Sequence, residues 1–530
     1  MLLPLLLAAG LTHVPAPQPK IAGQSAPNEL SKELRESIVA QGSMRLENPA
    51  IVAGVIIANY GYDGDGPFLP AAGDLPSASH KVEATKSEPD KNTYLVLRGQ
   101  RGADPSYDYG THFLFQGHEL GARGTSGTNV GSITRVNLDA DGAHRVTLMA
   151  AADVNGTPLP TFDGSTWDPW AQRLLFTAEG ANGGGVWQAT LDVPSQVEAL
   201  TGIVGQGGYE GIQNDSAGNL WIVEDSGGTT VGHARQPNSF IFRFVPVDPR
   251  DLKQGGKLQA LQVISRRSGH PIVFHAGQAA ADIDSQDVKD LHACGLSFET
   301  SWVTVHDTAI DGRANFNANA AAKAAGATPF KRPENGVFRP GSRFTEFYFT
   351  ETGDTNALTE VGSAGGGFGG IFRLTQRTPT ADRGSLSIFF VGDVAHTGLD
   401  NIQFWDRDRL VAVEDGGDTL HSQRQAFDSA YLFDVAEACS TNATRILALG
   451  RDASATTDAA FSGLPGFQND GDNEITGFHV SDGDPSREGI LGAKLPHPLE
   501  AGWRVFYTQQ HGDNQTWEIL LAPRSEGEPR

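Results

Sequence analysis

GIQNDSAGNLWIVEDSGGT (residues 211–229) and NIQFWDRDRLVAVEDGGDT (residues 401–419) decide how this chain is read. They align without a gap at an offset of 190. From 212 to 229, eight of 18 positions are identical: Ile212, Gln213, Leu220, Val223, Glu224, Asp225, Gly227 and Thr229. Ordinary composition would give roughly one. Glu210 falls on Asp400, so both copies carry a carboxylate just ahead of the segment. Each copy is a short apolar run that ends in an acidic, Gly-rich turn, which reads as a strand and a tight connection.

Weaker copies lie at HFLFQGHELG (112–121), RLLFTAEGANGGG (173–185), EFYFTETGD (346–354) and RVFYTQQHGDN (504–514), making six in all. Second strand-like runs follow at 132–139, 185–192, 240–248, 370–377 and 430–437. A small sheet cannot cover both its faces alone, and radial closure covers them without long exposed edges. The pattern therefore predicts an all-β fold, a six-bladed β-propeller, with a two-sheet sandwich array as the alternative. The widest gap, between Glu224 and Glu351, holds an insertion at about 265–330. Its Ala-rich part, 314–327, predicts a helix. The propeller is expected over 46–524, after a linker segment at 21–45 and before a short tail at 525–530.

The opening MLLPLLLAAG is too short to span a bilayer. It reads as the apolar part of a signal peptide within residues 1–20, so a secreted or periplasmic protein is expected, although no Lys or Arg precedes the run. No later run of about 18 apolar residues occurs, so no membrane span is expected. Lys and Arg number 40 against 63 Asp and Glu, a net charge of −23. That balance disfavours nucleic acid and anionic membranes as partners, and it suits hard cations such as calcium, which take oxygen ligands. Cys294 and Cys439 are the two cysteines, so no CxxC zinc site exists, and whether they pair stays open. No GxSxG elbow is present, which argues against a serine esterase. His233, His270, His275, His292 and His306 show no ligand spacing and read as surface or packing residues; Trp221 and Trp405 read as core.

Equivalent strand ends of a propeller face one side. Glu119, Glu179, Glu224, Glu351 and Glu414 are accordingly expected to ring one mouth of the barrel, where burial without cations would be costly.

In order along residues 110–515, several segments resemble the PhoX-type alkaline phosphatase family. Gly117-His118-Glu119 is similar to its Asn-His-Glu strand end. Thr166 to Glu179, with Pro169 and Trp170, is similar to its Thr-Pro-Trp…Glu-Glu segment. Tyr209-Glu210-Gly211 resembles Lys-His-Glu, and Lys331-Arg332-Pro333-Glu334-Asn335 matches Arg-Pro-Glu. Asp400-Asn401 with Leu410 to Gly417 resembles its Asp-Asn strand and acidic turn. Glu474-Ile475-Thr476-Gly477 and Gln509-Gln510-His511-Gly512 resemble its final pair. The resemblance implies a calcium- and iron-dependent propeller that hydrolyses small phosphomonoesters, and a monomer is expected. It implies that Glu210 and Glu334 bind the metal centre and act in catalysis with Arg332, which contacts phosphate. It extends the metal set to Glu119, Glu179, Asp400, Asn401, Glu414 and Glu474. The family's thiolate bridges its irons; here PTFDGSTWDPW (160–170) has no Cys, and Asp163 stands near that place as a metal-ligand candidate. Two other functions fit the acid ring: a lactonase-type calcium propeller hydrolase, and a non-catalytic propeller braced by calcium.

Overall fold

Runs such as Leu410–Val413 and Phe347–Thr350 are short, apolar and bounded by turn residues, which favours strands over helices. In a computed structural model describing residues 10–21, 24–62, 87–123, 129–180, 182–451 and 474–523, the chain is mostly β with few helices. Antiparallel four-strand runs dominate, in a propeller-like arrangement. One sheet joins Thr93–Val96, His112–Gly117, Ile133–Asn137 and Val146–Ala150 in sequence order. A second joins Ser165–Asp168, Arg173–Ala178, Gly185–Ala189 and Val197–Ala199. A nine-stranded sheet follows. It contains Tyr209–Asn214, Leu220–Glu224, Ile241–Pro246 and Gly256–Val263 at one end, and Gly336–Phe338, Glu346–Glu351, Gly370–Gln376 and Arg383–Val391 at the other. Phe298–Asp307 bridges the two halves, pairing with Gly256–Val263 on one side and Arg383–Val391 on the other. Leu399–Phe404, Arg409–Glu414, Ser429–Asp434 and Thr444–Ala448 form the next sheet, extended by Glu29–Leu30.

The last sheet draws on both ends of the chain. Glu474–Ser481, Arg504–Gln510 and Gln515–Leu521 are completed by Leu34–Ala40, paired antiparallel from Leu34↔Leu521 to Ala40↔Thr516. Residues 34–40, expected as linker, are thus an outer strand. Leu34, Val39 and Ala40 are buried there while Arg35 and Ile38 are exposed, and a register shift between Ile38 and Ala40 interrupts the ladder. The described part of the stretch assigned to a leader also packs on the body. Val14 is buried and exchanges backbone and side-chain hydrogen bonds with Arg445. Residues 1–9 lie outside the described residues.

The insertion is mixed rather than wholly helical. It holds helices α1 (Ala279–Ile283), α2 (Gln286–Leu291) and α3 (Ala318–Ala324), but also the bridging strand Phe298–Asp307. α3 falls within the predicted Ala-rich stretch, N-capped by Asn317, whose side chain accepts from Ala320 N. A disulfide joins Cys294, just after α2, to Cys439. Trp221 and Trp405 are buried, as expected; Trp221 packs against Phe338 and Phe347, with ring centroids 5.0 and 4.9 Å away, tying the two halves of the large sheet together. Among the described residues, no helix is long and apolar enough to cross a membrane.

Candidate metal centre

In a hairpin the start of the first strand lies beside the end of the second, so acids at these two places meet. Asp90 with Glu119, Asp163 with Glu179, Glu210 with Asp225, and Asp400 with Asp415 are such pairs. Together with Glu334 and Glu474 they line one cavity of about 50 Å³, ten carboxylates in all, with Arg332 the basic residue among them. Neighbouring sheets are locked at this level by threonines. Thr177 Oγ1 donates to the carbonyl of Glu210, Thr350 Oγ1 to that of Asp400 (2.6 Å) and Thr508 Oγ1 to that of Asp90 (3.3 Å). In the hairpin of Glu334 the matching strand end carries Thr352, whose Oγ1 donates to the Glu334 carboxylate.

Of the candidate residues, Glu119, Asp163, Glu179, Glu210, Arg332, Glu334, Asp400 and Glu474 come together here. Glu414 and Asn401 do not line the cavity. Glu414 accepts from Arg424 Nη1 (2.8 Å) and from the backbone N–H groups of Thr397 (3.2 Å) and Ser429 (3.0 Å). Asn401 donates to Asp400 Oδ2 (2.8 Å) and so orients it. Glu224 and Glu351, expected in the ring, likewise face the sheet. Phe240 N donates to Glu224 Oε2 (3.1 Å), and Lys331 N to Glu351 Oε1 (2.7 Å). Asp225 and Asp415, one position on from Glu224 and Glu414, face the cavity in their place. Successive residues of a strand point to opposite faces, and both aspartates were visible as identities in the repeat. Asp90 had no such signal.

Ligand oxygens converge in two groups that share Glu179: Glu179, Glu210, Asp225 and Glu334, and Glu119, Asp163 and Glu179, each within 4.8 Å. Burial pushes Asp90 up to about 7, and burial with the charge of Asp225 pushes Glu334 up to about 8. Burial, then mutual repulsion, moves Glu119, Asp163, Glu179, Glu210, Glu474 and Asp415 upward as well. The cage thus favours protons or cations over bare charge. Its donors are carboxylate oxygens, which fit hard cations. Both cysteines are taken by the disulfide, so an iron–thiolate bridge does not fit these residues.

Arg332 sits at the edge of the cage with its side chain 17% exposed. Its Nε and Nη2 reach Asp225 at 3.0 and 2.8 Å, and Nη2 lies 3.2 Å from Glu334. Burial opposes its charge, but Asp225 and Glu334 outweigh that and hold the guanidinium above its ordinary value. Its backbone is left-handed (φ 53°) and pinned by Thr352 N, which donates to its carbonyl at 2.8 Å.

A family model described as alkaline phosphatase PhoX matches residues 231–485. Over that stretch the chain is similar to the PhoX family. The match takes in Arg332, Glu334, Asp400 and Glu474, whereas Glu119, Asp163, Glu179 and Glu210 lie before it. Pseudomonas fluorescens PhoX, solved in complex with vanadate, a transition-state analogue, is 12% identical with a TM-score of 0.54. The alignment covers 96% of this chain and 98% of that one. At this identity the likeness speaks for the PhoX fold. The gluconolactonase XC5397 from Xanthomonas campestris is 10% identical, with a TM-score of 0.40 over 96% of this chain and 99% of that one. No curated protein matches by sequence.

Proposed function

We propose that this chain is an exported, calcium-dependent phosphomonoesterase that works at the carboxylate cage. The observation that carries the reading is Arg332, an oriented, partly exposed guanidinium at the mouth of an otherwise acidic cavity. A guanidinium offers a planar fork of donors that matches phosphate oxygens. Asp225 and Glu334 hold that fork in place before any ligand arrives. A cage bracing the blades with calcium alone would need no such group, and this favours catalysis over the non-catalytic reading.

Glu179, Glu210, Asp225 and Glu334 would hold one cation, and Glu119, Asp163 and Glu179 a second, with Glu179 between them. Bound cations would neutralise phosphate oxygens and lower the pKa of a water molecule. The chain's own part is to fix ligand oxygens from different sheets, to keep bulk water out of the cage by burial, and to present Arg332 to the transferred group. Asp163 in the place of the family's Cys makes the donor set all oxygen, which supports calcium in preference to thiolate-bridged iron. The frame proposed is a six-bladed propeller in which the nine-stranded sheet counts as two blades, residues 209–263 and 336–391. The chain would act as a monomer, with any leader removed ahead of Thr12, whose side chain donates to Glu33 at 2.6 Å.

Turnover of an aryl phosphate by the calcium-loaded protein tests the proposal. Arg332→Ala should keep the fold, checked by circular dichroism, and lose on the order of a hundredfold in kcat/KM. No turnover by wild type with calcium, iron or both would leave the calcium-braced propeller as the better reading.

A further inference from the structure

Beneath the cage lies a lysine that no motif singles out. Lys91 is 4% exposed, and its Nζ donates to Asn335 Oδ1 at 2.6 Å. With that oxygen occupied, the amide nitrogen of Asn335 faces the cage and donates to Glu210 Oε1 (2.8 Å) and Asp400 Oδ1 (3.1 Å). One buried ammonium is thereby connected through one carboxamide to carboxylates from two different sheets. Burial works against its charge and lowers the pKa of the ammonium, while Asp400, Asp90, Glu210 and Asp163 all attract that charge and oppose the loss.

A second observation concerns where ligand oxygens converge. Neither converging group includes Asp90 or Asp400. Their oxygens are engaged within the chain: Thr476 Oγ1 donates to Asp90, and Asn335 and Asn401 both donate to Asp400. Buried carboxylates need a counter-charge, and removing one partner of such a pair is strongly destabilising. We infer that Lys91 is a resident cation of the cage, supplying the counter-charge at the Asp90–Asp400 end so that metal loading is confined to the two converging groups. This rests on the reading of the cage as a metal centre. The ammonium does at this end what a divalent ion does at the other, and it excludes one by like-charge repulsion.

Calcium titration by calorimetry of chelator-stripped protein tests the inference without reference to activity. Lys91→Met keeps the apolar stem and removes the charge; it should bind one more calcium per chain than wild type, or bind its weakest calcium about tenfold more tightly. Lys91→Arg, which keeps the charge, should keep the wild-type stoichiometry. Wild type that binds no calcium overturns the metal-centre reading itself. Wild type that binds, beside a folded Lys91→Met chain with unchanged stoichiometry and affinity, overturns this inference alone. If Lys91→Met fails to fold with or without calcium, Lys91→Met/Asp400→Asn decides: recovered folding supports the charge pairing, and continued failure overturns it.

Discussion

A single position along a strand separates a structural carboxylate from a cage carboxylate. Glu224 and Glu414 accept backbone N–H bonds from the adjacent strand, while Asp225 and Asp415 line the cavity. The pleat imposes this, because neighbouring side chains leave on opposite faces. Asp168 shows the same sensitivity of a carboxylate to its surroundings, away from the cage. It is fully buried and its Oδ1 accepts from Trp170 N (2.8 Å) and Ala171 N (3.3 Å). Burial raises it from 3.8 to about 6. The folded state therefore holds this proton more tightly than the unfolded chain. Its contribution to stability is complete below the ordinary value and is lost as pH rises through the raised one. Asp168→Asn keeps the acceptor and removes the charge. Above pH 6 it should stabilise the protein by about 2–3 kcal/mol, and the gain should shrink as pH falls toward 4. Urea midpoints at pH 8 and pH 5 check this, and an equal effect at both would refute the assigned cause.

At the level of elements, the insertion has a capped helix and is fastened to the body at two successive points beyond it. Ser285 caps α2 by accepting from Val288 N at 3.1 Å. His292, at the end of the helix, places Nε2 2.6 Å from Glu351 Oε2. Cys294 then closes the disulfide with Cys439, 145 residues away. Glu351 also accepts from Lys331 N, next to Arg332, so one carboxylate serves both the insertion and the arginine loop. A cross-link over so long a separation restricts the unfolded chain strongly. Replacing both cysteines by serine should cost about 2–5 kcal/mol. A urea midpoint indistinguishable from that of the oxidised wild type would show that the hydrogen-bonded contacts hold the insertion without the covalent one.

Across the whole molecule, one strand from the start of the chain completes the final sheet, and carboxylates from five sheets meet at the centre. Folding therefore concentrates like charge that the unfolded chain keeps apart, and cations that bind the folded state reverse that cost. Calcium in hundredfold excess over its Kd adds about 2.7 kcal/mol of stability. Thermal melting in excess chelator should occur a few degrees below melting in millimolar calcium. Coincident melts would mean that protons and internal partners alone neutralise the cage.

The repeat at 211–229 and 401–419 was enough to determine strand-rich units and to place an acid at a common strand end, because periodic burial and turn chemistry are local properties. The ordered motifs likewise brought Glu119, Asp163, Glu179, Glu210, Arg332, Glu334, Asp400 and Glu474 to notice, and these share one cavity. Only the tertiary structure decided the rest. Whether Glu414 or Asp415 faces the centre depends on strand register. Whether residues 34–40 are linker or strand depends on a partner nearly 500 residues away in the chain. The roles of Asp90, Lys91 and Cys294 depend on contacts with residues far off in sequence: Thr476, Asn335 and Cys439. A linear pattern carries periodicity, but the pairing of distant charges and thiols is settled by which surfaces the closed fold presses together.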